Sequence, residues 1–284
     1  MPASDDAGAT GALARKKPRA GRNLPVAVAV GVGLLLVVGA SLFFRPEPFV
    51  LLATCAVGAA LWELSQALRR RGINLPLLPL LVGTVGILVS SYYSGPEALF
   101  VSFMLTVAGL VVWRVIDGSG VPAVRDAAAG TFAAAYLPFM AGFVMLMLAQ
   151  EDGRIKVLLF ILLAVANDVG GYVAGVFFGR HPLAPTVSPK KSWEGLAGSF
   201  VLATAVGVVG AVYGLGASPL LGLALGVIAP LTATVGDLAE SMIKRDLELK
   251  DMGSLLPGHG GILDRLDSML LTAPFVYLFL SAVA

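Results

Sequence analysis

Nine stretches of about twenty largely apolar residues, each long enough to cross a bilayer as a helix, follow one another at residues 24–44, 48–68, 75–93, 97–116, 130–149, 155–178, 195–213, 217–236 and 264–284. Little of the chain lies between them. With 57% apolar and 13% charged residues among 284, the protein lacks the polar side chains to cover a water-facing surface, so lipid must act as its solvent. A water-soluble fold is excluded, as are a disordered chain and a disulfide scaffold. The single cysteine, Cys55, lies in an apolar run and has no partner for a bridge. The expected fold is all-α: a polytopic integral membrane helix bundle of about nine transmembrane helices.

The placement of charge orients that bundle. With a cytoplasmic N-terminus, the inside segments hold Arg15, Lys16, Lys17, Arg19, Arg22, Arg69 to Arg71, Arg114, Arg125, Arg180, Lys190, Lys191, Lys244, Arg245, Lys250 and Arg265, which is 17 of the 20 basic residues. Only Arg45, Arg154 and Lys156 fall outside, the asymmetry that the positive-inside rule describes. The first apolar stretch is longer than a signal peptide's, so it reads as a retained anchor. Residues 1–22 read as a disordered basic cytoplasmic tail, 23–150 as N-terminal transmembrane helices and 151–284 as a C-terminal catalytic transmembrane region. Three longer cytoplasmic segments, 117–129, 179–194 and 237–263, are where function is expected. Gly171, Gly175 and Gly179, like Gly222 and Gly226, recur at steps of four. That spacing lets helix backbones approach closely and places the sixth and eighth spans inside the bundle.

Residues 236–268 concentrate the polar chemistry. Asp237, Ser241 and Lys244 share one helical face where the eighth span emerges, and Asp264, Asp267 and Ser268 share another at the start of the ninth. Between them, Pro257, Gly258, His259, Gly260 and Gly261 turn the chain so that the faces can meet. Clustered carboxylates at the end of an apolar helix need a positive charge between them. Hard oxygen ligands without a Cys/His set favour Mg²⁺, which pairs one or two carboxylates with substrate phosphates. Pairing of Asp264 with Arg265, and of Asp246 with Lys250, on a solvated loop is the plainer alternative.

Two further clusters fit the same chemistry. The run from Ser188 through Pro189, Lys190, Lys191, Ser192, Trp193 and Glu194 to Gly195 puts adjacent lysines on a turn before a helix N-terminus, which suits a phosphate. A juxtamembrane lysine pair is also an ordinary topology signal. Asn167 and Asp168, followed by Gly170, Gly171 and Tyr172, put an acid inside the sixth span, where ionisable groups mark function or an interhelical hydrogen bond. His181 reads as a loop residue, whereas the glycines around His259 leave its ring open to a phosphate or a metal-bound water. The chain has no G-x-x-x-x-G-K-[ST], H-E-x-x-H or G-x-S-x-G motif, so P-loop, zincin and α/β-hydrolase chemistry lack their working parts.

Ser241-x-Ile243-Lys244-Arg245, then Lys250-Asp251-x-Gly253, then Leu256-Pro257-x-His259-Gly260-Gly261-Ile262-x-Asp264-Arg265-Leu266-Asp267, resembles the signature of the phosphatidate cytidylyltransferases, or CDP-diacylglycerol synthases. The Ser188–Gly195 and Asp168–Tyr172 stretches resemble family elements in the same order, so the likeness covers roughly residues 160–284, while the first half agrees only in being multi-span. Val169 stands where the family often has a hydroxyl residue, and Ser192 where it often has Thr.

The resemblance implies that CTP and phosphatidic acid react to give CDP-diacylglycerol and pyrophosphate, for phospholipid biosynthesis. It also implies a requirement for Mg²⁺, with K⁺ as a monovalent ion sharing the site, and metal ligation by Asp237 and Asp264. Asp267 is expected to support them. Lys190, Lys191, Lys244 and Arg245 are assigned to phosphate oxygens, followed by Lys250, His259 and Arg265, with Ser188, Ser192 and Ser241 lining the substrate site. Asp168 and Asp251 are placed beside the site. A phosphate monoester is already largely ionised near neutrality, its second pKa being about 6, so positioning and charge neutralisation outweigh base catalysis.

The expected setting is a bacterial inner membrane, with the active site on the cytoplasmic face, the bilayer as partner, no nucleic acid, and a homodimer as an admissible assembly. An ion-coupled transporter and an enzyme activating a different lipid phosphate with CTP are the rival readings. No run of residues reads as a cytosine site.

Overall fold

A computed structural model describes residues 33, 36–43, 45–118, 120–255 and 260–282. The basic tail, most of the first expected span and His259 lie outside the described residues. Six helices are long and apolar enough to cross a membrane: α1 (Pro46–Arg69), α2 (Leu77–Asp117), α3 (Val121–Ala149), α4 (Gly153–Phe178), α5 (Trp193–Gly214) and α6 (Pro219–Asp246). A further helix, α7 (Leu263–Ser281), carries Asp264, Arg265 and Asp267 in its first turns. Large apolar side chains such as Val82, Val101, Val176, Phe177 and Val201 are exposed on the outer faces, as suits a surface solvated by lipid. The protein is a multi-pass membrane protein.

The 41 residues of α2 are not one rod. Gly95 has φ 82°, ψ −166° and is followed by Pro96, a left-handed residue and an imino acid that together break a helix. Beyond the break the chain folds back: Ser90 Oγ lies 2.7 Å from Ser102 Oγ and 3.4 Å from the Ala98 carbonyl. The expected separation into spans at 75–93 and 97–116 therefore matches two arms of a hairpin, 77–94 and 96–117.

The helices pack in chain order, α4 on α5, α5 on α6 and α6 on α7, while α7 also reaches back to α1, α3 and α4. Glycines make the tight crossings. A Cβ at Gly170 would lie 2.5 Å from the Gly198 carbonyl oxygen, and one at Gly222 would lie 2.6 Å from the Gly207 carbonyl oxygen. The small-residue stripes thus serve backbone contact, as their spacing suggests. The most enclosed helix, however, is α3, with 61% of its apolar window buried against 50% for α6 and 44% for α4.

Two expected loops are structured differently. Of 117–129, most is the first two turns of α3, which begins at Val121. The segment 179–194 contains a short antiparallel hairpin of β1 (Pro182–Ala184) and β2 (Ser188–Ser192), so the fold is helical with one small exception. Its register is held by Glu194, which accepts from the Arg180 and His181 amides at 3.1 and 3.2 Å and pairs with His181 Nδ1 at 2.6 Å. Polar contacts gather the segments after α1, α2, α4 and α6 at one end of the bundle. Arg71 pairs with Glu248 at 2.9 Å, the Asn74 amide donates to Asp126 at 3.0 Å, and Arg245 Nε donates to the Val187 carbonyl at 3.2 Å.

Candidate active site

At that end α6 runs on past the apolar core. Ser218 caps its start and Lys244 and Arg245 occupy its last turn, where basic side chains complement the helix dipole. Asp237, Glu240, Ser241 and Lys244 follow at helical spacing. Ser241 Oγ donates to Asp237 Oδ1 at 3.3 Å, and Lys191 from β2 forms an ion pair with Asp237 Oδ2. Lys244 Nζ lies 2.7 Å from Glu240 Oε2 and 3.1 Å from Asp264 Oδ1, so one ammonium joins α6 to α7.

Asp264 opens α7 and is nearly enclosed, its side chain 6% exposed. Besides Lys244, its carboxylate accepts from the Met252 amide at 3.0 and 3.2 Å and from the Gly261 amide at 2.9 Å. Asp267, one turn later, is buried. It accepts from the Ser268 amide at 2.6 Å and faces the Glu240 carboxyl at hydrogen-bonding range. Tyr136 of α3 completes this floor with a buried hydroxyl that has no hydrogen-bond partner among the described residues and lies in the electrostatic field of Asp267, Glu240 and Asp237.

Asp168 of α4 accepts from Asn167 Nδ2 at 3.0 Å and feels Asp237, Lys191 and Arg265 electrostatically, so the third sequence cluster joins the other two. Asp251 borders Gly260, while Lys190, Arg245, Lys250 and Arg265 are exposed around the rim.

Two of the expected site residues are engaged within the fold. Among the described residues no three His, Cys, Asp or Glu lie together in a group that could hold a metal ion by themselves. Asp267 is turned inward to Glu240 and the Ser268 amide. Ser192 caps α5, accepting from the Gly195 amide at 3.1 Å, and so has a folding duty. Ser188 belongs to β2, paired with Ala184.

Sequence reasoning passed over Glu63, Tyr136 and Glu240. Tyr136 is a lone polar residue in an apolar stretch, whereas Glu63 and Glu240 stand among other polar residues near helix ends, and no spacing carries a sign of the partner that each meets. An acid within an apolar span was the one available signal for Glu63.

What remains is a partly open cluster in which Asp237, Glu240, Asp264 and Asp267 outnumber Lys191 and Lys244. Among the described residues, two of the acids, Asp237 and Asp264, are held by ammonium groups, hydroxyls and backbone amides. Such a donor set fits a hard divalent cation bound through one or two carboxylates and substrate oxygens. At Asp264 Oδ1 a cation would take the position of the Lys244 ammonium.

A rim of carboxylate–lysine pairs at one end of a multi-pass helical bundle is the setting of a membrane protein with an electrostatically loaded site. The family model for the cytidylyltransferase family matches residues 25–283, and the chain belongs to that family. It is 41% identical to the phosphatidate cytidylyltransferase of Mycobacterium leprae over 94% of this chain and 90% of the relative. It is 38% identical to that of Mycobacterium tuberculosis strain H37Rv over 94% and 85%. The Helicobacter pylori phosphatidate cytidylyltransferase is 40% identical over 49% of this chain and 53% of its own. The likeness thus extends well into the first half, beyond the multi-span resemblance expected there.

Proposed function

We propose that this protein is a phosphatidate cytidylyltransferase of the bacterial inner membrane, transferring the cytidylyl group of CTP to phosphatidic acid on the cytoplasmic face. The observation that carries this reading is the convergence of acids and lysines from α4, β2, α6 and α7 on one lipid-bordered rim, in a chain of this family. The nine-span plan with a cytoplasmic N-terminus draws support from the positive-inside count and from the polar segments gathered at one end.

In the reaction a phosphate oxygen of phosphatidic acid attacks the α-phosphorus of CTP. The new P–O bond forms as the bond to the bridging oxygen breaks, and that oxygen leaves with the pyrophosphate. The obstacle is repulsion between two polyanions, so the protein's task is to hold them in line and offset their charge.

Lys191 and Lys244 are each held against a carboxylate and can exchange it for a phosphate oxygen. The exposed Lys190 and Arg245, with Lys250 and Arg265, extend the cationic rim for the triphosphate. Asp237 and Asp264 would hold Mg²⁺, which when bound supplies charge neutralisation at the phosphates and leaving pyrophosphate. K⁺ is the monovalent ion proposed beside it. Asp267 and Glu240 act beneath them by holding α6 against α7, and Asp168 borders the lipid side, where the phosphatidate headgroup enters.

The test is direct. Detergent-purified protein is incubated with phosphatidic acid, labelled CTP and Mg²⁺. Labelled lipid and pyrophosphate are expected in equal amounts, and an absence of Mg²⁺-dependent product in lipid-supplemented micelles overturns the proposal. An Asp264→Ala protein with parental activity would remove the metal assignment alone.

A further inference from the structure

We propose that Glu63 of α1 is a positioning residue for this reaction, the post that holds the segments before residue 256 and after residue 259 so that Asp264 points into the site. The inference rests on the site reading above but concerns a residue that the reading does not use.

Glu63 is 1% exposed and lies 200 positions from its nearest hydrogen-bond donor, the Leu263 amide, which reaches Oε2 at 2.9 Å. The Leu255 and Ile262 amides also point at the carboxylate, although among the described residues Oε1 has no hydrogen bond of normal geometry. No Lys or Arg pairs with it among the described residues. A buried carboxylate held by backbone amides alone is costly to keep, and an apolar side chain would serve simple packing better.

Its arrangement interlocks with that of Asp264. Met252 and Gly261 donate their amides to Asp264, and neighbouring residues in the same two segments face Glu63. The two acids therefore hold the same two segments.

The glycines of the motif find a physical reason here. A Cβ at Gly253 would collide with the Glu63 carboxyl, and one at Gly261 would lie 2.6 Å from Glu63 Oε2 and 2.9 Å from Asp264 Oδ2. Neither glycine has positive φ, unlike Gly260 at 87°. The backbone conformation at 253 would accept alanine, and the Glu63 side chain is what stands in the way there, whereas at 261 the Gly253 amide nitrogen, 2.8 Å from such a Cβ, blocks it as well.

The experiment is a double-mutant cycle on the full chain in detergent, with Glu63→Gln, Glu63→Ala, Gly253→Ala and the Glu63→Ala/Gly253→Ala pair. Activity is followed together with hydrogen exchange of peptides covering residues 247–255 and 260–268. Glu63→Gln is expected to lower kcat by about 30-fold and raise the Mg²⁺ concentration for half-activity, with KM for phosphatidic acid within about twofold. Exchange should rise in those two peptides and stay unchanged in the helices.

Gly253→Ala should be damaging in the parent and add less than about twofold in kcat and in exchange once Glu63 is alanine, the non-additivity expected of contacting residues. Parental kcat and Mg²⁺ requirement in Glu63→Gln, equal damage by Gly253→Ala in both backgrounds, or a uniform rise in exchange overturns the proposal. If the parent transfers no cytidylyl group, the activity reading fails, while the exchange cycle still decides the role of Glu63.

Discussion

Replacing Lys244 by methionine keeps the length and girth of the side chain and removes its charge. In the native site that charge lies 2.7 Å from Glu240 and 3.1 Å from Asp264, whose side chains are 0% and 6% exposed. Breaking a buried pair by deleting one partner costs about 3–5 kcal/mol, because the other is left uncompensated. The lower end applies here, since Lys244 is itself 17% exposed and Asp264 keeps its backbone amides. A loss of about 3 kcal/mol lowers the midpoint of a chain this size by about 6–12 °C.

The measurement is the fraction of monodisperse protein remaining after heating in detergent, run beside a cytidylyl-transfer assay. Adding Glu240→Gln to Lys244→Met removes one of the stranded acids, so the midpoint should recover by several degrees while activity stays low, because Asp264 still lacks its cationic neighbour. A midpoint within about 2 °C of the parent in the single variant would refute the view that this ammonium binds α6 to α7.

Asp237→Asn should abolish transfer by at least about 100-fold and change stability by less than about 1 kcal/mol, because its pair with Lys191 is about one-third exposed; activity and melting curves on the same sample check both. Gly226→Leu, which drives a side chain into the Thr204 backbone of α5, should cost about 3 kcal/mol or prevent folding, read as the yield of monodisperse protein. Ser192→Ala should lose about 1 kcal/mol of stability through the missing α5 cap, with Ser192→Thr close to the parent; a large rise in KM for CTP at unchanged stability would instead favour a substrate contact.

Much of the site was legible because helical spacing is local. Asp237, Ser241 and Lys244 share a face by arithmetic, and the structure presents them on one stretch of α6. The separation of residues 75–93 from 97–116 was equally readable, since Gly95 and Pro96 announce the break. The structured start of α3 was less so, because polar residues such as Arg125 and Asp126 resemble a loop until Asp126 is seen accepting from Asn74 and pairing with Arg114. Asp267 illustrates the converse. Its spacing from Asp264 predicts a shared face, yet Asp264 meets Lys244 and backbone amides while Asp267 lies opposite Glu240.

The order of apolar and polar residues was sufficient to establish that lipid solvates this chain and which helical faces carry acid and base, because those properties depend only on composition and a period of about 3.6 residues. Which faces meet was settled by packing. Lys244 bridges to Asp264, and Glu63 reaches Leu263 across 200 residues, since such partners are chosen by the close approach of glycine-lined helices and by the need of buried polar atoms for one another, and neither leaves a period in the chain.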